Sequence, residues 1–377
     1  MPHHLEPETI ITLLASLAVI LASAELFTNG IEWLGHRLNL AEGAVGSVLA
    51  AVGTALPETL IPFVAILIRG GETGSEIGIG AILGAPFMLG TLAMFITGLA
   101  ALGYRRRRPQ GLHIVVSRRV LTRDLAFFLI MYATAIGVSF APRLVRQAHC
   151  FVLLLAYGYY LRQTFADTQV ANSDLQSLRL QRLIARWHCR RGDGEAVHEY
   201  LERLHSAANG APRIRVIAGQ VLLALAGIVG GAYIFVGAAE QTAHALGVAP
   251  LLIALIIAPV ATELPEKFNS IVWMRQGKDT YALGNITGAM VFQSTFPVSL
   301  GMWFTSWRLL APAGQPQAAL HSVVIALAAG VWLLGVGLLA RRTEGPAGGV
   351  HLRLNPAALL VGGALYAAFL VPLLLRM

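Results

Sequence analysis

Apolar residues run in long stretches along the 377-residue chain, and short polar segments separate them. A helix that crosses a bilayer needs about 20 mostly apolar residues. Ten stretches read as spans, over 10–33, 43–68, 77–103, 124–141, 147–162, 215–238, 247–274, 281–304, 319–340 and 354–375, the fifth of them short. One long polar interruption runs from 163 to 214. Within it, LQSLRLQRLIARWHCRR and EAVHEYLERLHSAA have the spacing of amphipathic helices lying on a membrane face. The pattern predicts an all-α polytopic membrane protein. Its units are five helices over 1–162, an amphipathic linker over 163–214, and five helices over 215–377.

Composition narrows the class. The chain is 56% hydrophobic and 13% charged, with mean hydropathy +0.65. Soluble domains carry about 25% charged residues, so a water-facing surface cannot be built from this set. Nucleic-acid binding, a secreted disulfide scaffold and disorder are excluded on the same ground. The formal charge of +8 comes mostly from arginine, since lysine occurs only at Lys267 and Lys278. The bases sit chiefly in loops, as topology signals do. Loops after the first, third, fifth, seventh and ninth spans hold 22 Lys and Arg, and the other side holds 5. That split predicts a cell (inner) membrane protein with a cytoplasmic central loop and both termini outside. Cys150 and Cys189 then face opposite sides, which excludes a disulfide between them. His188 and Cys189 lack a second ligand pair for a metal. The start, MPHHLEPETI, has no basic region of a cleaved signal peptide.

The two halves repeat. Segment 24–58 aligns without a gap on 232–266, with twelve identities in 35 positions, among them Phe27/Phe235, Glu32/Glu240, His36/His244, Thr54/Thr262, Pro57/Pro265 and Glu58/Glu266. Shared apolar composition would give roughly three or four. GIGAILGA at 78–85 then matches ALGNITGA at 282–289. Five helices per half is an odd number, so the second half is inverted relative to the first. Inverted repeats are an architecture of secondary transporters, with the substrate bound at mid-membrane where the repeats meet.

The repeated motif carries the chemistry. AVGTALPET (51–59) and PVATELPEK (259–267) each place a glutamate inside an apolar span, where a carboxylate is costly and usually functional. Pro57 cannot donate to the carbonyl of Gly53, nor Pro265 to that of Ala261. Thr54 and Glu58 share a helix face, as do Thr262 and Glu266. Each motif thus offers a freed carbonyl, a hydroxyl and a carboxylate, an all-oxygen set suited to hard cations such as Ca²⁺ and Na⁺. The bland alternative is a pair of protonated glutamates that merely tie helices together. Gly80/Gly84 and Gly284/Gly288 have the spacing that lets helices approach closely, and predict that the third and eighth spans line the same cavity as the second and seventh. Glu25 has no matching acid, since its partner is Tyr233. Glu32, Glu240, His36 and His244 lie near helix ends, where interfacial contacts are the simpler reading. Tyr157, Tyr159 and Tyr160 read as an interface belt.

GTALPE (53–58) and ATELPE (261–266), in two inverted five-helix halves, resemble the cation/calcium exchanger superfamily, which includes the sodium/calcium exchangers. The resemblance covers nearly the whole chain. It implies ten helices, alternating access, and ion ligation by Thr54, Glu58, Thr262 and Glu266. Ala55 and Glu263 replace the family serine of the motif. On the third and eighth spans, the family's ligand positions fall on Ala85 and Leu89, then Ala289 and Gln293. Asn285 keeps an early asparagine that is Ala81 in the first half. Lys267 sits four residues after Glu263, in the favourable order for pairing. Two roles stay open for it: neutralising Glu263, or filling an ion position itself.

The sequence predicts a secondary cation antiporter that moves Ca²⁺ against Na⁺ or H⁺. Its ion-binding set is Gly53, Thr54, Glu58, Ala261, Thr262, Glu263, Glu266, Asn285 and Gln293, with Glu58 and Glu266 as the metal carboxylates and Lys267 as a modulator. No resident cofactor is expected. Its partners are inorganic cations and the lipid bilayer, with no nucleic acid. The alternatives are a proton exchanger for another cation, and a non-transporting relation that acts as sensor or scaffold. An intramembrane enzyme would need a nucleophile or a His/Cys metal set near the acids, and the sequence has none there.

Overall fold

The structure is a computed structural model. It describes residues 6–37, 58–167, 178–180, 212–307, 309–310, 317–344 and 349–375, with the backbone only at 35–36, 165–167, 261, 264–266 and 374. In the first half, helix α1 spans Pro7–Arg37, α2 58–69, α3 Gly71–Gly103, α4 Arg118–Val138 and α5 Arg143–Asp167. The second half begins with α6 over Ile214–Leu246, α7 over Pro250–Thr262 and α8 over Leu264–Arg275. There follow α9 over Asp279–Gln293, α10 over Phe296–Phe304, α11 over Ala318–Leu339 and α12 over Ala357–Leu374. Among the described residues, five helices are long and apolar enough to cross a membrane: α1, α3, α4, α6 and α11.

The solvent of this fold is legible in its burial. Large apolar residues stand outward on the outer helices, such as Leu14, Leu144, Leu155, Leu222 and Leu339, as lipid contact requires. Helix α3 differs: it is buried along most of its length, with Ile77, Ile82, Leu83, Phe87 and Met88 all inside. It is therefore the central helix on which the rest is assembled. Two consecutive glycines at positive φ, Gly70 (66°) and Gly71 (70°), turn the chain from α2 into α3. Helices α1 and α6 lie against each other antiparallel. Gly227 meets Ser23 and Gly231 meets Ser16 and Ile20, and Gln220 bonds to Asn29 and to the carbonyl of Leu26.

The expectation of an all-α chain needs correcting. The chain is mostly helical, but three short strands form an antiparallel sheet in the order β1-β3-β2: β1 Ile114–Ser117, β2 Arg341–Glu344 and β3 Val350–Leu354. The register pairs Ile114 with Leu354 and Val116 with Leu352. These four residues are buried, while their neighbours alternate outward. Strands of four or five residues are too short to stand out among 20-residue apolar runs. Helix α5 also starts earlier and ends later than its apolar core, and its polar ends are the extra turns.

Candidate cation site

Two helical runs are interrupted at positions where the sequence concentrates its oxygens. Helix α7 ends at Thr262, Glu263 leaves helical geometry (φ −91°, ψ 5°), and α8 starts with Pro265 in its first turn. Pro265 has no N–H, so the Ala261 carbonyl loses its helical donor. Around the break, Glu263 N donates to the Pro259 carbonyl (3.1 Å) and Lys267 N to that of Glu263 (3.1 Å). Helix α9 ends at Gln293, Thr295 is off-helix (φ −119°, ψ −75°), and α10 starts with Pro297 in its first turn. Pro297 frees the Gln293 carbonyl in the same way. Helix α3 is also irregular: past Pro86 it widens into a π turn over Leu89–Ala93. π turns recur at functional sites.

Glu58 and Gln293, 235 residues apart, meet at the second break, where the Gln293 side-chain nitrogen donates to Oε2 of Glu58. Both are buried, at 7% and 0% exposed. The Gln293 Oε1 is buried and has no hydrogen-bond partner among the described residues. An orphaned acceptor beside a buried carboxylate is what a cation would satisfy. At the first break, the Thr262 hydroxyl donates to the Ala258 carbonyl (3.1 Å), which leaves its lone pairs to accept. Lys267 Nζ stands 3.5 Å from Glu263 Oε2 and 3.5 Å from the Pro259 carbonyl. Asn285 is half-buried eight residues before Gln293, about 12 Å back along α9 at 1.5 Å per residue. Gly53 and Thr54 lie outside the described residues, as do His188 and Cys189. At Ala261 and Glu266 only the backbone is described, on α7 and α8.

The close-packing glycines of the two halves have different partners. A Cβ on Gly80 would come 2.3 Å from the Leu251 carbonyl oxygen, and one on Gly84 2.2 Å from that of Leu255. Helix α3 is thus pressed against α7, not drawn to α9 by these residues. Pro259 frees the Leu255 carbonyl, and a Cβ-less surface is what lets α3 lie on it. Gly284 faces Val120 on α4, and Gly288 faces the Tyr160 hydroxyl on α5. Ala81, Ala85 and Leu89 are buried on α3 and bring no side-chain oxygen.

Two buried polar groupings escaped the sequence reading. Asp124 on α4, 1% exposed, accepts from the Tyr160 hydroxyl (3.0 Å), the Thr287 hydroxyl (2.8 Å) and Arg123 (3.1 Å). Tyr160 is therefore a buried hydrogen-bond donor, not part of a belt, while Tyr159 is exposed. An acid in an apolar run is the available signal, but Asp124 stands at the first position of the predicted span 124–141, where an acid facing water is equally at home. Arg108 and Asp279 form a fully buried pair at 2.6 Å, and Asp279 also takes the Val115 N–H (2.8 Å). This pair joins the loop after α3 to the first turn of α9. Among the described residues, no three His, Cys, Asp or Glu side chains form a metal-holding cluster.

The profile of the sodium/calcium exchanger protein family matches residues 8–165 and 216–377. Inner membrane protein YrbG of Escherichia coli is 25% identical over 288 residues, covering 76% of this chain and 77% of that protein. The putative antiporter CaxA of Alkalimonas amylolytica is 24% identical over 341 residues, covering 89% and 93%. The sodium/calcium exchanger MaX1 of Methanosarcina acetivorans is 24% identical over 286 residues, covering 74% and 78%. The fold is that of the H⁺/Ca²⁺ exchanger CAX, with a TM-score of 0.63 at 17% identity over 97% of this chain and 82% of that one. It is also that of the sodium-calcium exchanger NCX_Mj, with a TM-score of 0.53 at 18% identity over 97% and 99%. With the profile matched over both halves, the chain belongs to the sodium/calcium exchanger protein family.

Proposed function

We propose that this protein is a secondary-active cation antiporter that moves Ca²⁺ across the membrane against Na⁺ or H⁺ by alternating access. The observation that carries the reading is the contact of Glu58 with Gln293. It joins a carboxylate of the first half to an amide of the second, both buried, at a broken helix. A glutamine can turn either its nitrogen or its oxygen to a neighbour. Its N–H on Glu58 partly neutralises the carboxylate. A cation entering between them is held by that carboxylate and by Oε1 of the turned amide. The sequence supplies further oxygens for the same ion from Glu266, Thr54, Thr262 and the carbonyls of Gly53 and Ala261. One site for a divalent ion needs about six to eight oxygens, so these groups suffice for one principal site.

The ten-span, inverted-repeat arrangement is part of the same reading. Helices α7 with α8, and α9 with α10, each make one broken span. Loops that follow odd-numbered spans meet on one face: β1 after the third span pairs with β3 after the ninth, and Arg108 after the third pairs with Asp279 after the seventh. This favours the strict alternation on which the arginine asymmetry depends, with that face cytoplasmic in the inner membrane. Uptake into reconstituted vesicles, under Ca²⁺, Na⁺, K⁺ and pH gradients imposed separately, tests the function. Ca²⁺ uptake driven by an outward Na⁺ or H⁺ gradient is expected. A well-folded protein that moves no cation under any gradient is instead a non-transporting relation, and the reading fails.

A further inference from the structure

The two copies of the motif differ most by a pair of charges. Ala55 and Thr59 in the first copy are Glu263 and Lys267 in the second. Both charged residues are buried, at 0% and 5% exposed. The ammonium lies 3.5 Å from a Glu263 oxygen and 3.5 Å from the Pro259 carbonyl. A tight charge-assisted hydrogen bond closes to about 2.7–2.9 Å, so the lysine is not locked onto the carboxylate. It stands between a carboxylate and a main-chain carbonyl at a broken helix, the kind of oxygen set that coordinates a transported cation. Pro259 also borders α3, where a Cβ on Gly84 would come 2.7 Å from its Cγ. The α3 residues in contact with α7 there, Gly80 and Gly84, have no side chain, and the buried Ala81, Ala85 and Leu89 add no side-chain oxygen on the same helix. A free cation at this place would be under-ligated. A cation carried on the chain's own side chain is held covalently and needs fewer ligands.

We propose that the Lys267 ammonium is a tethered cation that occupies one cation position at the α7/α8 break. A single exchangeable position, at the contact of Glu58 with Gln293, is left for transport. The proposal rests on the antiporter reading and deepens it, because it makes Lys267 the residue that bars a further monovalent ion from the coupled set. The pair adds no net charge, so each half contributes one negative charge to the site.

Thermal unfolding of the purified full-length protein tests this. Ionic strength is fixed with N-methylglucamine chloride, and NaCl, KCl or CaCl₂ is titrated in. An ion that binds the native state raises Tm as it exceeds its Kd. Lys267→Thr, which copies the first motif, is expected to gain a saturable Na⁺-dependent rise of a few degrees beyond any wild-type response. Glu263→Gln/Lys267→Thr is expected to lose that gain, because the carboxylate that held the new ion is gone. An Na⁺ and K⁺ response in Lys267→Thr identical to wild type overturns the proposal. Where Lys267→Thr does not fold in N-methylglucamine, purification in NaCl decides: recovery in NaCl supports a vacated ion position, and failure in both overturns it. Wild-type Ca²⁺ flux in vesicles is read separately. Its loss defeats the antiporter reading, whereas intact flux with an unresponsive Lys267→Thr defeats this proposal alone.

Discussion

Gln293 spends its amide nitrogen on Glu58 and keeps its oxygen buried without a partner among the described residues. Gln293→Leu takes away the Oε1 that the turned amide would offer to the cation, a ligand loss of about 1–3 kcal/mol. The expected result is roughly tenfold or more weaker half-saturation for Ca²⁺ in vesicle uptake, at 1.4 kcal/mol per decade, with the protein still folded by circular dichroism. Glu58→Gln and Glu266→Gln each remove a full ligand charge and are expected to abolish uptake, whereas Glu32→Gln is expected to change it little. Wild-type flux in folded Glu58→Gln would refute the assignment. With Ala81, Ala85 and Leu89 bringing no side-chain oxygen, the Na⁺ dependence of the native protein is expected to have a Hill coefficient near one, and Leu89→Asn, which adds one ligand, is expected to change it. Much of this was legible in residue identities. Glu58, Glu266 and Lys267 stand out because charge is rare in apolar runs. The meeting of Glu58 with Gln293 was not legible, because a contact across 235 residues is set by how α2 and α9 pack. Asp124 was overlooked for a different reason: at the polar edge of a span, a buried acid and an interfacial one look alike.

At the scale of elements, the packing of α3 on α7 depends on the absence of two side chains. A methyl on Gly84 would fall 2.2 Å from the Leu255 oxygen, and backbone there cannot give way cheaply. Gly84→Ala is therefore expected to force α3 off α7, to cost about 1–3 kcal/mol as overpacking does, and to lower Tm and flux together. Gly230→Ala on α6 is the control. Nothing lies within 4 Å of its Cβ position, and replacing a helical glycine there is expected to stabilise by up to about 1 kcal/mol. Differential scanning fluorimetry of the two variants reads the contrast. The glycine spacing announced a close helix approach but not the partner, because it describes one surface and a contact needs two. Of the motif prolines, Pro265 opens a helix immediately after an interruption, and Pro297, outside the motif, opens α10 in the same way.

At the scale of the whole molecule, the halves are joined off the main site by Arg108–Asp279 and by the sheet. Removing one partner of a fully buried pair costs about 3–5 kcal/mol. Arg108→Met alone is therefore expected to destabilise strongly, and Arg108→Met with Asp279→Leu to recover much of the loss, as read by thermal unfolding. The arginine run at 105–108 was legible as a topology signal, but not the exception within it, since a buried arginine and an exposed one are identical in sequence. Orientation is tested by cysteine labelling at Ser173 and near the C-terminus in intact cells. Labelling at the terminus only is expected, and outside labelling at Ser173 would sink the cytoplasmic assignment. The sheet also carries a consequence for biogenesis. Strand β1 closes at Ser117, and its partner β3 begins at Val350. At about 5–20 residues per second of synthesis, β1 waits some tens of seconds for a neighbour, with its apolar face at Ile114 and Val116 unsheltered. The last hairpin to leave the ribosome thus completes a structure begun near the start, and a chain stopped after α11 is expected to be cleared by proteases although every acidic ligand of the cation site has already been made.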